Sequence, residues 1–166
     1  MTDHEIFNEL TIATDGSCLD FTHTGWAYYA EDGRSAYGGH LEGTNNIGEL
    51  LAVFNVLLDF PDTPLVIQSD SAYTIGASVT WVDGWAANGW KNSKKEIVAN
   101  LDIIQQIYGL TRDRIARDVP FRFQKVKAHL TDLSVWPLNV RADVLAGLAS
   151  ARAAKGLIEV IRTEKD

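Results

Sequence analysis

The segment from Asn46 to Phe60, with the apolar run that follows it, constrains the fold of this chain more than any other feature. Ile47, Leu50, Leu51, Phe54, Leu57 and Leu58 recur at i, i+3, i+4 and i+7 spacing, which predicts an amphipathic helix. Asn46 is a suitable N-cap, and Pro61 lies just past the last turn. A few residues on, Leu65-Val66-Ile67 forms a short continuous apolar run between Pro64 and Asp70. That pattern reads as a strand buried on both faces, as in a parallel arrangement. A buried strand reached through a helix joins its sheet by a crossover, so other strands must already be present.

Those strands are legible upstream. Residues 10–15 (LTIATD), Gly25 to Ala30 and Ser35 to Leu41 read as three strands, with Asp32-Gly33 as the turn between the last two. Downstream, Ser71 to Ser78 can form a short helix, and Thr80 to Lys95 is rich in Trp and Lys but broken by Gly84 and Gly89. Ile97 to Arg117 reads as a long helix, Val119 to Val126 alternates as a strand, and Asn139 to Lys155 is a final helix rich in Ala. The order βββαβα, then helices, then βα, predicts an α/β fold: three strands pair antiparallel and two more arrive by helical crossovers. No repeat, low-complexity tract or long linker divides the sequence, so residues 1–166 are expected to form one domain.

Two carboxylates stand out against this frame. Asp15 and Asp70 each fall at the C-terminal end of a predicted strand, where open α/β sheets gather ligands. If those strands are parallel neighbours, both face one crevice. Taken singly, each reads first as a turn or N-cap aspartate. Glu49 lies over Ala52, Val53 and Val56, an apolar stripe on which a carboxylate is poorly hydrated and needs a cation or a donor. A capping pair with Asn46 would also account for it. Asp143 precedes Ala146, Gly147 and Ser150, small residues that let the last helix approach a sheet. An ordinary first-turn aspartate favoured by the helix dipole accounts for it equally well.

The words around these residues carry a resemblance. Thr14-Asp15-Gly16-Ser17-Cys18, Thr44-Asn45-Asn46-Ile47-Gly48-Glu49-Leu50, and Ser69-Asp70-Ser71 with Tyr73 are followed by Trp81 through Trp85 to Gly89-Trp90-Lys91. Val126-Lys127-Ala128-His129 and Asn139 through Asp143 to Leu145-Ala146 complete the series. In this order and spacing the sequence resembles type 1 ribonuclease H over about residues 10–152, leaving 157–166 as a C-terminal extension.

The resemblance implies a ribonuclease H-like fold, a five-stranded mixed sheet of three antiparallel and then two parallel strands, flanked by helices. It implies that Asp15, Glu49, Asp70 and Asp143 hold metal and that His129 is a mobile catalytic histidine. The cofactor it implies is Mg²⁺, two ions, with Mn²⁺ as a possible substitute. The activity it implies is hydrolysis of the RNA strand of RNA–DNA hybrids, leaving a 5′-phosphate and a 3′-hydroxyl. Hard cations prefer oxygen ligands, and paired ions suit an in-line displacement at phosphorus. Substrate contacts are implied at Gly16, Ser17, Cys18, Thr44, Asn45 and Asn46, and at Trp85 and Lys91 on a helical handle.

Three departures from the family pattern bear on substrate grip. Leu19-Asp20-Phe21-Thr22-His23-Thr24 replaces a loop rich in Gly, Pro and Asn. The handle carries Asp83, Ala86, Ala87 and Asn88 where basic residues are usual. The loop from His129 to Asp143 holds extra residues, among them Leu133 to Pro137.

The net charge of −7 argues mildly against a nucleic-acid partner, but Lys91 to Lys95 and Arg122 to Lys127 are locally basic. With 46% hydrophobic residues the chain can bury a core, yet no apolar run approaches the roughly 18 residues of a membrane span. No secretory leader and no separate N-terminal hybrid-binding domain are expected, and the single cysteine fits a reducing cytosol. The expectation is therefore a monomeric, cytoplasmic nuclease acting on RNA–DNA hybrid. Two alternatives remain open at this point: a metal-dependent DNA nuclease or resolvase on the same fold, and a non-catalytic nucleic-acid-binding module.

Overall fold

The computed structural model describes residues 8–127 and 133–164. Three antiparallel strands open the chain: β1 (Leu10–Leu19), β2 (His23–Ala30) and β3 (Ser35–His40). Helix α1 (Asn45–Asp59) then leads to β4 (Leu65–Ser69), which pairs parallel with β1, with Leu10 opposite Leu65 and Ala13 opposite Gln68. A short helix α2 (Ala72–Ile75) runs into a π-helical turn at Gly76–Thr80 and then α3 (Val82–Ala87). Helix α4 (Leu101–Ala116) carries the chain to β5 (Phe121–Lys125), parallel to β4 on its outer side. Helix α5 (Pro137–Ala153) and a short strand β6 (Ile161–Thr163) follow. Among the described residues these strands make one mixed sheet in the order β5-β4-β1-β2-β3-β6.

The sheet has the expected five strands plus one. The sixth, β6, comes from the stretch beyond residue 157, whose place the sequence left unassigned. It pairs antiparallel with β3, Ala36 opposite Arg162. Arg162 donates to both carboxylate oxygens of Asp59 at 3.1 Å, and Tyr28 Oη donates to the same aspartate at 2.8 Å, pinning the extension to the end of α1.

Some boundaries moved. β1 does not end at Asp15: its parallel pairing with β4 stops at Ala13, but its pairing with β2 satisfies the backbone as far as Leu19. Thr44, with extended backbone, takes the N-cap position of α1, so Asn46 lies inside the helix and the capping pair with Glu49 does not account for that glutamate. The helix expected from Ile97 starts at Leu101, because Asn100 is left-handed and Ile97 bridges Lys91 instead.

All five β4 residues are buried, as an uninterrupted apolar run between two parallel partners requires. Leu50, Val53, Val56 and Leu57 of α1 join Ile12, Leu65 and Ile67 of the sheet and Ile104 and Ile107 of α4 in one core. Ala142, Ala146, Ala149 and Ala153 of α5 are at most 1% exposed. Gly25 of β2 meets the α5 backbone, and a Cβ there would lie 2.2 Å from Ser150 N. A helix can settle that near a strand only where both surfaces lack bulk. No helix among the described residues is long and apolar enough to cross a membrane.

Candidate active site

The sheet register assembles the first pair of carboxylates. Asp15 and Asp70 lie two residues beyond the paired Ala13 and Gln68. Side chains alternate with period two, so both project on the same side of adjacent strands, just past the end of their parallel pairing. Ser17, on that same face of β1, places its hydroxyl 3.2 Å from the hydroxyl of Ser150 on α5. Asp15 thus faces α5, and its carboxyl is hydrogen-bonded to that of Asp143.

Glu49 arrives from the helix on the opposite side. Gly16 makes this possible: a Cβ there would lie 2.3 Å from Glu49 N and 2.5 Å from Gly48 C. With no side chain between them, α1 rests directly on β1, and the Gly16 amide faces the Glu49 carboxyl and favours its ionised form. Gly48 repeats the device, since its Cβ would lie 2.6 Å from Gly25 O. Asp15, Glu49 and Asp70 consequently each offer an oxygen within 4.8 Å of the others'.

The electrostatics of this cluster are unfavourable without a cation. Asp15 and Glu49 are 3% and 6% exposed. Burial pushes the Asp15 carboxyl far above the usual carboxylate range, and the neighbouring Glu49, Asp143 and Asp70 push it the same way. Burial also raises Glu49, offset in part by hydrogen bonds from Asp15 and from the Gly16 amide. Both acids therefore resist full ionisation in the metal-free fold. Oε2 of Glu49 is buried with no hydrogen-bond partner among the described residues. An orphaned buried carboxylate oxygen beside two further acids is costly unless a cation meets it. Three clustered hard oxygen donors suit a divalent ion such as Mg²⁺.

The other sequence-predicted residues are distributed as follows. Thr44, Asn45 and Asn46 are exposed at the start of α1 and line a cavity of about 320 Å³ with Cys18, Phe21 and Gly43. Cys18 Sγ lies 3.6 Å from Gly43 O as its donor. Ser17 is engaged with α5, and Gly16 is covered by α1, so both shape the site from beneath. Trp85 is half-buried against Trp81, ring centroids 5.8 Å apart, and Trp90 packs edge-on against Tyr108 of α4 at 5.4 Å. Lys91 is exposed beside this aromatic group, and the unexpected Asp83 pairs with Arg112 of α4 at 3.5 Å. His129 lies outside the described residues.

Gly25 and Gly48 are positioning residues to which motif reading gave no role, although Gly48 lies inside one of the quoted words. Their signal was available as glycines at otherwise regular strand and helix positions. Gly147, expected at the helix–sheet contact, instead faces open space, while Ala146 and Ser150 do meet Gly25.

Comparison with known proteins agrees with this geometry. Residues 8–151 match the family model described as RNase H. The chain is 38% identical over 146 residues to the ribonuclease H of Tropheryma whipplei (strain Twist), covering 86% of this chain and 85% of that protein. It is 35% identical over 151 residues to the ribonuclease H of Maricaulis maris (strain MCS10), covering 86% and 95%. Among solved structures, a type 1 RNase H described as having the type 2 active-site motif matches with a TM-score of 0.73 at 19% identity, over 96% of this chain and 79% of that one. At that identity the structural likeness speaks for the fold.

Proposed function

This chain belongs to the ribonuclease H family, and we propose that it is an endonuclease cutting the RNA strand of RNA–DNA hybrids with divalent metal held by Asp15, Glu49, Asp70 and Asp143. The observation that carries this reading is the approach of three carboxylates to within 4.8 Å, one of them Glu49, whose buried Oε2 has no hydrogen-bond partner among the described residues. A binding surface for phosphate gains nothing from such a cluster, which disfavours the non-catalytic module. We assign two Mg²⁺ ions to the site, with Mn²⁺ as a substitute, since four ionised carboxylates balance the charge of two such ions. When bound, they supply Lewis acidity to the attacking water and to the leaving 3′-oxygen.

The chain's own residues have separable tasks. Glu49 and Asp15 are the buried carboxylates whose ionised forms a bound divalent cation would stabilise. Asp143, on α5, couples that helix to the site through Asp15. Asn45 and Asn46 present amides to the minor groove, where 2′-hydroxyls distinguish RNA from DNA. Thr44 makes no side-chain cap bond, so first-turn N–H groups of α1 stay open for a phosphate of the DNA strand. Cys18, Trp85 and Lys91 are read as further contacts along the duplex. His129 is read as a proton relay assisting release of product. Residues 1–166 are read as one domain, a reading supported by the match over 8–151. The lone cysteine suits a cytoplasmic setting.

The test is cleavage of hybrid, duplex DNA and duplex RNA side by side, with EDTA and Asp70→Asn as controls. The expected result is cutting of the RNA strand alone, leaving 5′-phosphates, abolished by EDTA and by Asp70→Asn. Preferred cutting of duplex DNA, or full activity in Asp70→Asn, would refute the assignment.

A further inference from the structure

The β1–β2 hairpin turns through Asp20 and Phe21, both in the left-handed region at φ 55° and 59°. Leu19 pairs with His23, and Thr22 N donates to Leu19 O at 3.3 Å, so the turn is three residues long. Aspartate tolerates that backbone, whereas a bulky residue does so rarely. Phe21 is also 93% exposed, the highest value for any large hydrophobic among the described residues. Folding therefore gains neither burial nor an unstrained turn from this side chain.

Its neighbours are informative. Phe21 lines the 320 Å³ cavity with Cys18, Gly43, Thr44, Asn45 and Asn46. On the strand side, Cys18 is three residues from Asp15, about 10 Å along an extended chain. On the helix side, Asn45 precedes Glu49 by about one turn, some 6 Å. The near edge of the cavity thus borders the carboxylate cluster within roughly two to three nucleotides of one strand, with the Phe21 ring on its far rim.

We propose that Phe21 is a substrate-binding residue whose ring packs on the sugars and base edges of the hybrid's shallow minor groove to one side of the cut, with Asn45 and Asn46 as the polar wall of the same subsite. This rests on the hybrid-cleavage reading above. A wide, shallow groove exposes sugar faces to an uncharged ring. Aromatic contact of this kind is sequence-tolerant, as a general nuclease requires. It also suits a chain of net charge −7 whose handle is weakly basic, because it adds affinity that needs no phosphate contact.

Phe21→Asn tests the assignment, since Asn accepts left-handed backbone and deletes the ring. Expected are a KM for hybrid raised about tenfold with kcat unchanged, and a Tm equal to or above that of the parent. Fluorescence anisotropy of a labelled hybrid in the Asp70→Asn background should show the same loss. The slope of log Kd against log salt should not change, because no phosphate contact is removed. Phe21→Tyr should retain parental KM. A KM for Phe21→Asn within twofold of the parent, a lowered Tm that accounts for the loss, or a Tyr variant as weak as Asn overturns the role of Phe21 while leaving the nuclease reading intact. A parent chain that neither cuts nor binds hybrid overturns both.

Discussion

Replacing Gly25 by alanine should damage the active site without altering any acidic residue. A Cβ on Gly25 would lie 2.2 Å from Ser150 N, 2.5 Å from Ala146 O and 2.8 Å from Ala149 C, all of them backbone atoms of α5. Ordinary contact between such atoms is about 3.5 Å. The shortfall is therefore on the order of 1 Å, and no side chain can rotate away to relieve it. The helix must retreat from β2, opening space beside Ala142, Ala146, Ala149 and Ala153, which are now fully packed. Overpacking of this kind costs about 1–3 kcal/mol, and we expect the upper end, because backbone must move. For a chain of this size that corresponds to a Tm lowered by roughly 6–12 °C.

The same retreat carries Asp143 away from Asp15, its hydrogen-bonding partner. A displacement of about 1 Å in catalytic positioning can lower kcat about 100-fold. Circular-dichroism melting and hybrid cleavage measured well below the Tm read the two effects separately. Gly147→Ala is the control. It lies on the same helix with nothing within 4 Å of its Cβ, so it should be neutral or stabilising by up to about 1 kcal/mol. Were Gly25→Ala to melt within about 2 °C of the parent and keep its kcat, the close approach of α5 to β2 would not be what holds Asp143 in place.

Two further outcomes follow from the buried charges. Asp15 and Glu49 are raised by burial, so the metal-free fold disfavours their ionised forms; the stability they contribute is intact below about pH 4 and is lost as pH climbs through their raised values. Millimolar Mg²⁺ should therefore raise the Tm clearly at about pH 8 and hardly at about pH 5, and calorimetry should record proton release on binding; equal shifts at both pH values would contradict this. Arg114→Met should lower stability by about 3 kcal/mol in denaturant melts, because the guanidinium donates to the carbonyls of Phe60, Pro61, Thr63 and Pro120 and its loss leaves those of Phe60 and Thr63 without a donor among the described residues, while Pro61 keeps Arg117 and Pro120 keeps the Leu65 amide. Its kcat below the Tm should be unchanged, since these carbonyls lie at the opposite ends of β4 and β5 from Asp70.

The contrast between Asp70 and Phe21 explains how much of this protein was legible in its sequence. Asp70 follows a run of apolar residues whose burial forces one strand into the middle of a parallel pair. Once that strand neighbours β1, the two-residue period of side chains decides that Asp15 and Asp70 share a face. Periodicity is a local property, and the site inherits it. The capping of α1 was misread for the converse reason: Thr44, Asn45 and Asn46 are all acceptable at a helix start, and which one takes the N-cap depends on how Gly16 and Gly48 let the helix settle on β1. Strand β6 was unreadable because three residues at a sheet edge carry no period, and its pairing depends on Asp59, 103 residues away from Arg162 in sequence. Phe21 was visible only as a departure from a glycine-rich loop. Its left-handed backbone and its exposure come from the register Leu19–His23, which fixes a three-residue turn and leaves the ring no core to enter. Residues that build the metal site are thus dictated by burial, which sequence patterns record. A residue such as Phe21, proposed to touch substrate, is released from burial, so the pattern of apolar residues does not point to it.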